Sequence, residues 1–341
     1  MGAPIKKMKI PRYFYELTIS SSPHAHGPAT TQTVMRDVLL ALLPALIGSV
    51  YFFGFRSLMV TLVSAAACVL FEWGYRKIMK LDSTVYDLSA AVTGVLLAFV
   101  CPPSIPYWII IIGDFFAIIV VKQLFGGIGK NFVNPALAAR AFLFSWPAVM
   151  STWVKPGFEN AYGIFDTVVP DAITGPTPLA AMNGGSLEGV ELGKLFLGNV
   201  GGCLGETSAL LLLVGFAYLL IRRVISARIP LTYIGTVALI ALLFPRGNDP
   251  FAWCAAQVLS GGLMLGAIFM ATDYVTSPIT RKGQIVFGIG CGVITMAIRY
   301  FGSYNEGVSY AILVMNACVV LLDKVGHPRK FGAPKKEAGK K

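Results

Sequence analysis

The sequence predicts an all-α polytopic membrane protein of about ten transmembrane helices, arranged as two five-helix halves of opposite orientation. Three observations predict it. The chain of 341 residues is 55% hydrophobic and 13% charged, whereas soluble domains carry about 25% charged residues. Apolar runs succeed one another along the chain, many near the ~20 residues that cross about 30 Å of hydrocarbon. Lys and Arg collect in alternate connections, which is how the positive-inside rule marks the cytoplasmic side.

Residues 1–37 read as a polar cytoplasmic tail carrying Lys6, Lys7, Lys9 and Arg12. The tail has no apolar core followed by a small-residue cleavage site, so the first span is expected to act as its own signal. Five spans follow at 38–55, 57–76, 88–101, 105–121 and 136–153, giving a first repeat over 38–154. The third span is short and ends in "CPPSIP", whose prolines remove donors and break a helix. Irregular backbone at membrane depth needs cover from protein or a cavity, so this region is expected to line something. Residues 155–206 form a long extracytoplasmic loop bearing Glu159, Asp166, Asp171, Glu188 and Glu191. A second repeat over 207–322 holds spans at 207–221, 229–245, 255–272, 284–301 and 308–322. Residues 323–341 are a basic cytoplasmic tail.

The basic connections are Arg76, Lys77 and Lys80; Lys122 and Lys130; Arg222, Arg223 and Arg228; and Arg281 with Lys282. Both termini are therefore expected inside. The net charge of +11 sits at span ends and in the tails, so it points to membrane lipid and excludes nucleic acid as a partner. The stretch "LSAAVTGVLLAF" (88–99) echoes "LSGGLMLGAIFM" (259–270). Each is the third span of its five, and an odd number of spans per half inverts the second half. The six cysteines contain no C-x-x-C pair and read as small hydrophobes in apolar runs. His24 and His26 read as ordinary tail residues.

Three stretches could carry chemistry. "FGGIGKNFVNPALAARAF" (125–142) brings Gly127, Asn131 and Asn134 together at a helix boundary. It reads either as a tight turn or as a loop that lets backbone approach a flavin or quinone closely. Asp114 lies inside an apolar run, where a charge is expensive. Asp273 ends another run, either as an ordinary cap or along an ion route. Glu72 and Glu206 lie near span ends and are expected to reach water. Finally, "DAITGPTPL" in the long loop has no His or Cys beside its threonines, so Thr177 is no nucleophile of a usual kind. It is a candidate acceptor for a group attached by another enzyme.

With "SSPHAHG", "GGIGKNFVNPALAARAFLF", "GETSALLLL", "RIPLTY", "LSGGLMLGAIFMATDYVTSP", "KGQIVFGIGCGVITMAIR" and "EGVSYAILVMN", nearly the whole chain resembles the D subunit of the Rnf-type ion-translocating ferredoxin:NAD oxidoreductase. That subunit is related to the B subunit of the sodium-translocating NADH:quinone reductase. The resemblance implies a urea-transporter-like inverted repeat. It also implies a flavinylation motif in which a transferase links the phosphate of FMN to the last threonine. Asp171, Thr174, Gly175 and Thr177 match that motif, and Pro176 stands where alanine is usual. Thr177 is thus the implied site of covalent FMN. A second flavin, riboflavin or FMN held without a covalent bond, is implied as well. Its candidate residues are Gly127, Asn131 and Asn134. The implied partners are the other Rnf subunits, the flavin transferase, and Na⁺ or H⁺, with Asp114 and Asp273 as candidates for the ion pathway. The implied location is a prokaryotic inner membrane. The rival from another class is a flavin-free solute channel or transporter.

Overall fold

The computed structural model describes residues 30–154, 156–157, 177–182, 185, 187, 190–247, 249–302 and 306–325. Among the described residues the regular structure is helical. The first helix, α1 (Thr31–Phe53), starts inside the stretch expected as a tail. Thr30 caps it: its hydroxyl accepts the Thr33 N–H at 3.2 Å, and Thr33 accepts the Thr30 N–H at 2.9 Å, a reciprocal capping box. Asp37 therefore belongs to the helix. Buried there, it pairs with Arg222 at 3.1 Å and accepts from Tyr218 at 3.2 Å, tying α1 to the end of α9 (Ala209–Ile221).

Gly54, at φ +81°, separates α1 from α2 (Phe55–Ile78). The rest of the first half is α3 (Ser89–Phe99), α4 (Tyr107–Phe115) running on as a π-helical segment Phe116–Gln123, α5 (Pro135–Leu143) and the single turn α6 (Pro147–Met150). Two short pieces follow, α7 (Pro178–Met182) and α8 (Leu192–Leu197). After α9 come α10 (Arg228–Leu243), α11 (Pro250–Leu259), α12 (Leu263–Leu265) with its π-helical continuation Gly266–Met270, α13 (Arg281–Phe301), α14 (Val308–Ala317) and α15 (Val319–Val325). By length and apolarity α1, α2 and α13 can each cross a membrane, and α11 with α12 and its continuation forms an apolar pair bent by 62° at its break, the shape of a broken span or a re-entrant loop. The expected span at 136–153 is instead divided between α5 and α6. Pro147 opens α6 and has no N–H with which to continue α5.

Helix packing sets α1 against α9 and α2, α2 against α3 and α4, α10 against α11 and α13, and α5 against α14. Small residues permit the closest approaches, as is usual between membrane helices. A Cβ on Gly94 of α3 would lie 2.7 Å from the Ala65 Cα and the Ser64 oxygen of α2. A single buried cluster joins both halves, with Leu97, Phe99, Leu137, Leu265 and Ile312 all fully enclosed.

The two breaks are covered by protein, and each is held by a buried arginine. After α3, Arg56 donates to the carbonyls of Pro103 at 3.0 Å and Ile105 at 3.1 Å. The same region is pinned by Leu204 N–H on Cys101 and Gly205 N–H on Phe99, at 3.0 and 2.9 Å. After α11, Arg299 donates to the Gln257 carbonyl at 2.5 Å and the Ser260 carbonyl at 3.0 Å. A cation suits the carbonyl end of a half-helix, so the "CPPSIP" backbone has its acceptors met by side chain and turn.

Candidate functional site

Two polar regions lie at opposite ends of α3. Near its end, Thr177 precedes α7 and caps it, its hydroxyl accepting the Ala180 N–H at 3.2 Å. Thr177 is 6% exposed. It shares a pocket with Gly201, Gly202, Glu206, the break residues Ser260 and Gly261, and Glu306. Asp171, Thr174, Gly175 and Pro176 lie outside the described residues.

Beside this pocket sits a charge cluster that no sequence pattern announced. Arg140 of α5 is 2% exposed. Its guanidinium bonds Glu206 at 3.2 Å, the Ser309 hydroxyl at 2.8 Å, the Cys203 sulfur at 3.6 Å, and Glu306. Cys203, Glu206 and Glu306 have the spacing of a metal-ligand trio, but the guanidinium lies among their ligand atoms and bonds all three. Glu206, expected to reach water, is 7% exposed. The correction has a physical cause: Arg140 supplies in the interior the partner that water would supply outside. Arg140 itself lies within an apolar run, "PALAARAFLF", with no acid near it in sequence, so nothing local marks it as a buried cation.

The fit of a phosphoester at Thr177 can be judged from these residues. Gly201, Gly202 and Gly261 add no side-chain bulk to the pocket. Glu206 and Glu306 also line it, both bonded by Arg140, while Arg299 is bonded to the Gln257 and Ser260 carbonyls. The glycines leave room for a group on the Thr177 hydroxyl, and the carboxylates it would lie beside have their counter-charge in Arg140.

At the start of α3, Lys122 bonds Glu72 at 2.7 Å and the Ser89 hydroxyl at 2.8 Å, and Thr84 donates to Glu72 at 2.6 Å. Glu72 and Lys122 are 1% and 3% exposed. Here too the expectation of a solvated Glu72 and a loop lysine is corrected. The π-helical turn at the end of α4 swings Lys122 inward, onto the acid of α2. Lys122 also lines a second pocket with Thr93, Asn131, Asn134, Phe269 and Asp273.

That pocket brings Asn131, Asn134 and Asp273 together and leaves Gly127 outside its lining. Gly127 has φ +89° and lies against Arg76 and Gln123. The Asn134 amide is engaged in structure. Its oxygen caps α5 through the N–H groups of Ala136 and Leu137 at 3.1 and 3.3 Å, and its nitrogen donates to the Met270 carbonyl at 3.3 Å. Asn131 donates to the Val133 carbonyl at 3.1 Å. Asp273 closes its own turn, accepting from Thr276 at 3.0 Å. Asp114 stands apart from both pockets. It is wholly buried on α4, where its Oδ1 lies 2.6 Å from the Ser64 hydroxyl and accepts from Cys68 at 3.2 Å, both on α2.

Among the described residues, three helices long and apolar enough to cross a membrane, with charges held inside the bundle, are the features of a helical membrane protein. Residues 18–332 match the model of the NQR2, RnfD, RnfE family. The chain belongs to that family. It is 47% identical to the D subunit of the Na⁺-translocating ferredoxin:NAD⁺ oxidoreductase complex of Acetobacterium woodii, over 94% of this chain and 96% of that one. It is 40% identical to the D subunit of the proton-translocating ferredoxin:NAD⁺ oxidoreductase complex of Clostridium ljungdahlii, over 92% and 96%. A third relative is the D subunit of the ion-translocating oxidoreductase complex of Stutzerimonas stutzeri, 38% identical over 89% and 93%.

Proposed function

We propose that the chain is the D subunit of an Rnf-type ferredoxin:NAD⁺ oxidoreductase that couples electron transfer to Na⁺ or H⁺ export. It carries FMN as a phosphoester on Thr177 and works only within the complex. The observation that carries this reading is the pocket beside Thr177. The acceptor hydroxyl of the motif sits against a helix break lined by glycines, with the neighbouring Glu206 and Glu306 both bonded by Arg140. Bound there, the flavin supplies one-electron and two-electron chemistry. The chain's own residues position it: Thr177 tethers, α7 fixes the tether, Arg140 compensates the surrounding acids, and Arg299 holds the break backbone at Gln257 and Ser260. A flavin transferase is required for maturation.

The pocket lined by Lys122, Asn131, Asn134 and Asp273 is the place for a second, noncovalent riboflavin or FMN. One feature supports the inverted five-plus-five, urea-transporter-like arrangement of about ten spans: helices α1 and α9, the first of each half, pack together. The Lys/Arg alternation supports cytoplasmic termini and an extracytoplasmic 155–206 loop in a prokaryotic inner membrane.

The test is in-gel flavin fluorescence of the denatured subunit, with a mass spectrum of the Thr177 peptide. Thr177→Ala is expected to abolish the adduct, and Thr174→Ala to retain most of it. Flavin surviving on the Thr177→Ala protein refutes the assignment. Absence of flavin from the wild-type protein favours the transporter reading.

A further inference from the structure

The bonds around Asp114 do not close if it is an anion. The Ser64 hydroxyl has one hydrogen. It lies 2.8 Å from the Gly94 carbonyl and 2.6 Å from Asp114 Oδ1. A carbonyl and a carboxylate are both pure acceptors, so one hydrogen cannot satisfy both contacts. A proton on Asp114 closes the count. Oδ1 then donates to Ser64, and Ser64 donates to Gly94. The same proton removes a charge from a residue with no exposed surface. It also leaves the other oxygen, Oδ2, which has no hydrogen-bond partner among the described residues, as a neutral carbonyl oxygen rather than half of a buried anion.

A second observation gives the site a direction. Ser57, Thr61, Ser64, Cys68 and Glu72 are all at most 2% exposed. Their spacing of three or four residues puts them on one face of α2, turned towards α3 and α4. Asp114 meets this stripe midway, at Ser64 and Cys68. At one end Glu72 bonds Lys122, which lines the pocket described above. At the other, Thr61 donates to the Ser57 carbonyl at 2.8 Å and Ser57 to the Ser49 carbonyl at 3.3 Å. An apolar residue at each position would pack a membrane helix without polar partners to satisfy.

We propose that Asp114 is a proton-binding site within the first half of the subunit, loaded and unloaded along the polar face of α2. The ligand is H⁺. At 2.6 Å the Ser64 and Asp114 oxygens are in hydrogen-bond contact with no room for Na⁺ between them, and closing the count takes a hydrogen, which no metal cation supplies. The link to transport rests on the ion-translocating reading above; the bound proton does not.

Two measurements on the assembled complex test it. The first is labelling with dicyclohexylcarbodiimide, which partitions into membranes and reacts with protonated carboxyls. The acid proton passes to a carbodiimide nitrogen and the carboxylate oxygen adds to the central carbon, so no further reactant is needed. Mass spectrometry of the α4 peptide is expected to show the adduct at neutral pH in wild type and none in Asp114→Asn. An unlabelled Asp114, beside labelling of other buried carboxyls, overturns the bound proton.

The second measurement is ions moved per electron in proteoliposomes. Asp114→Asn keeps the shape and is expected to retain flavin and assembly while losing the ion movement. A ratio equal to wild type overturns the transport role, and a wild-type complex that moves no ions overturns the proposed function instead. Asp114→Glu, which retains a carboxyl, is expected to restore part of the ratio, as a merely structural side chain would not.

Discussion

Lys122 and Glu72 show what a single buried residue demands. Removing one partner of an enclosed ion pair strands the other, which costs about 3–5 kcal/mol, whereas replacing both by apolar residues is often neutral. Lys122→Ala is therefore expected to lower the thermal unfolding temperature of the detergent-solubilised protein strongly. The double variant Lys122→Met with Glu72→Leu is expected to recover most of the loss. Equal destabilisation in the single and double variants would mean that the pair is not what holds this end of the bundle. The sequence could not show this pair, because its members are separated by 50 positions and each sits where a solvated span-end residue is common. Asp114 was legible for the opposite reason: an acid inside an apolar run has no cheap explanation.

At the scale of elements, caps and close approaches decide whether short helices hold. Helix α5 has nine residues and begins on Asn134. Asn134→Ala removes two capping bonds and one to the Met270 carbonyl. Loss of a cap costs roughly 1 kcal/mol, so the yield of assembled complex is expected to fall, with Asn134→Ser retaining part of it. If Asn134 also faces a flavin, extractable flavin per assembled complex falls with it while the Thr177 adduct persists. At Gly94 a side chain meets the backbone of α2 head-on. Gly94→Val is expected to prevent α3 from seating and to abolish assembly, read as loss of the complex on native gels.

The long helices were legible from apolar run length and the first break from "CPPSIP"; the second, at 260–262 inside the run expected as one span over 255–272, was not. What covers those breaks was not legible. Arg56 and Arg299 lie near span ends, and in sequence nothing separates an arginine that turns inward to bind carbonyls from one that turns outward to lipid headgroups. The π-helical segments were missed for a similar reason. One extra residue in a turn leaves the apolar pattern nearly unchanged while rotating every later side chain, Lys122 among them.

For the whole molecule, orientation is the property most directly open to test. Reporter fusions at Gly185 and Gly326 are expected to report opposite sides of the membrane, with the Gly326 fusion cytoplasmic. Equal activity at both sites refutes the orientation drawn from the Lys/Arg alternation.

The Arg140 cluster sets a schedule for the making of the protein. Its guanidinium waits for Glu306, which lies 166 positions later, and translation at about 5–20 residues per second makes that wait roughly 10–30 s. Until Glu206 follows, 66 positions on, the nascent first half contains a cation with no counter-charge in place, on a helix of nine residues that is too short to cross a bilayer by itself. Helix α5 can stay at the water interface until the second half arrives, then be drawn in as Glu206 and Glu306 are delivered in turn. The final closure of the bundle around Arg140 thereby follows the synthesis of Glu306, near the end of the chain.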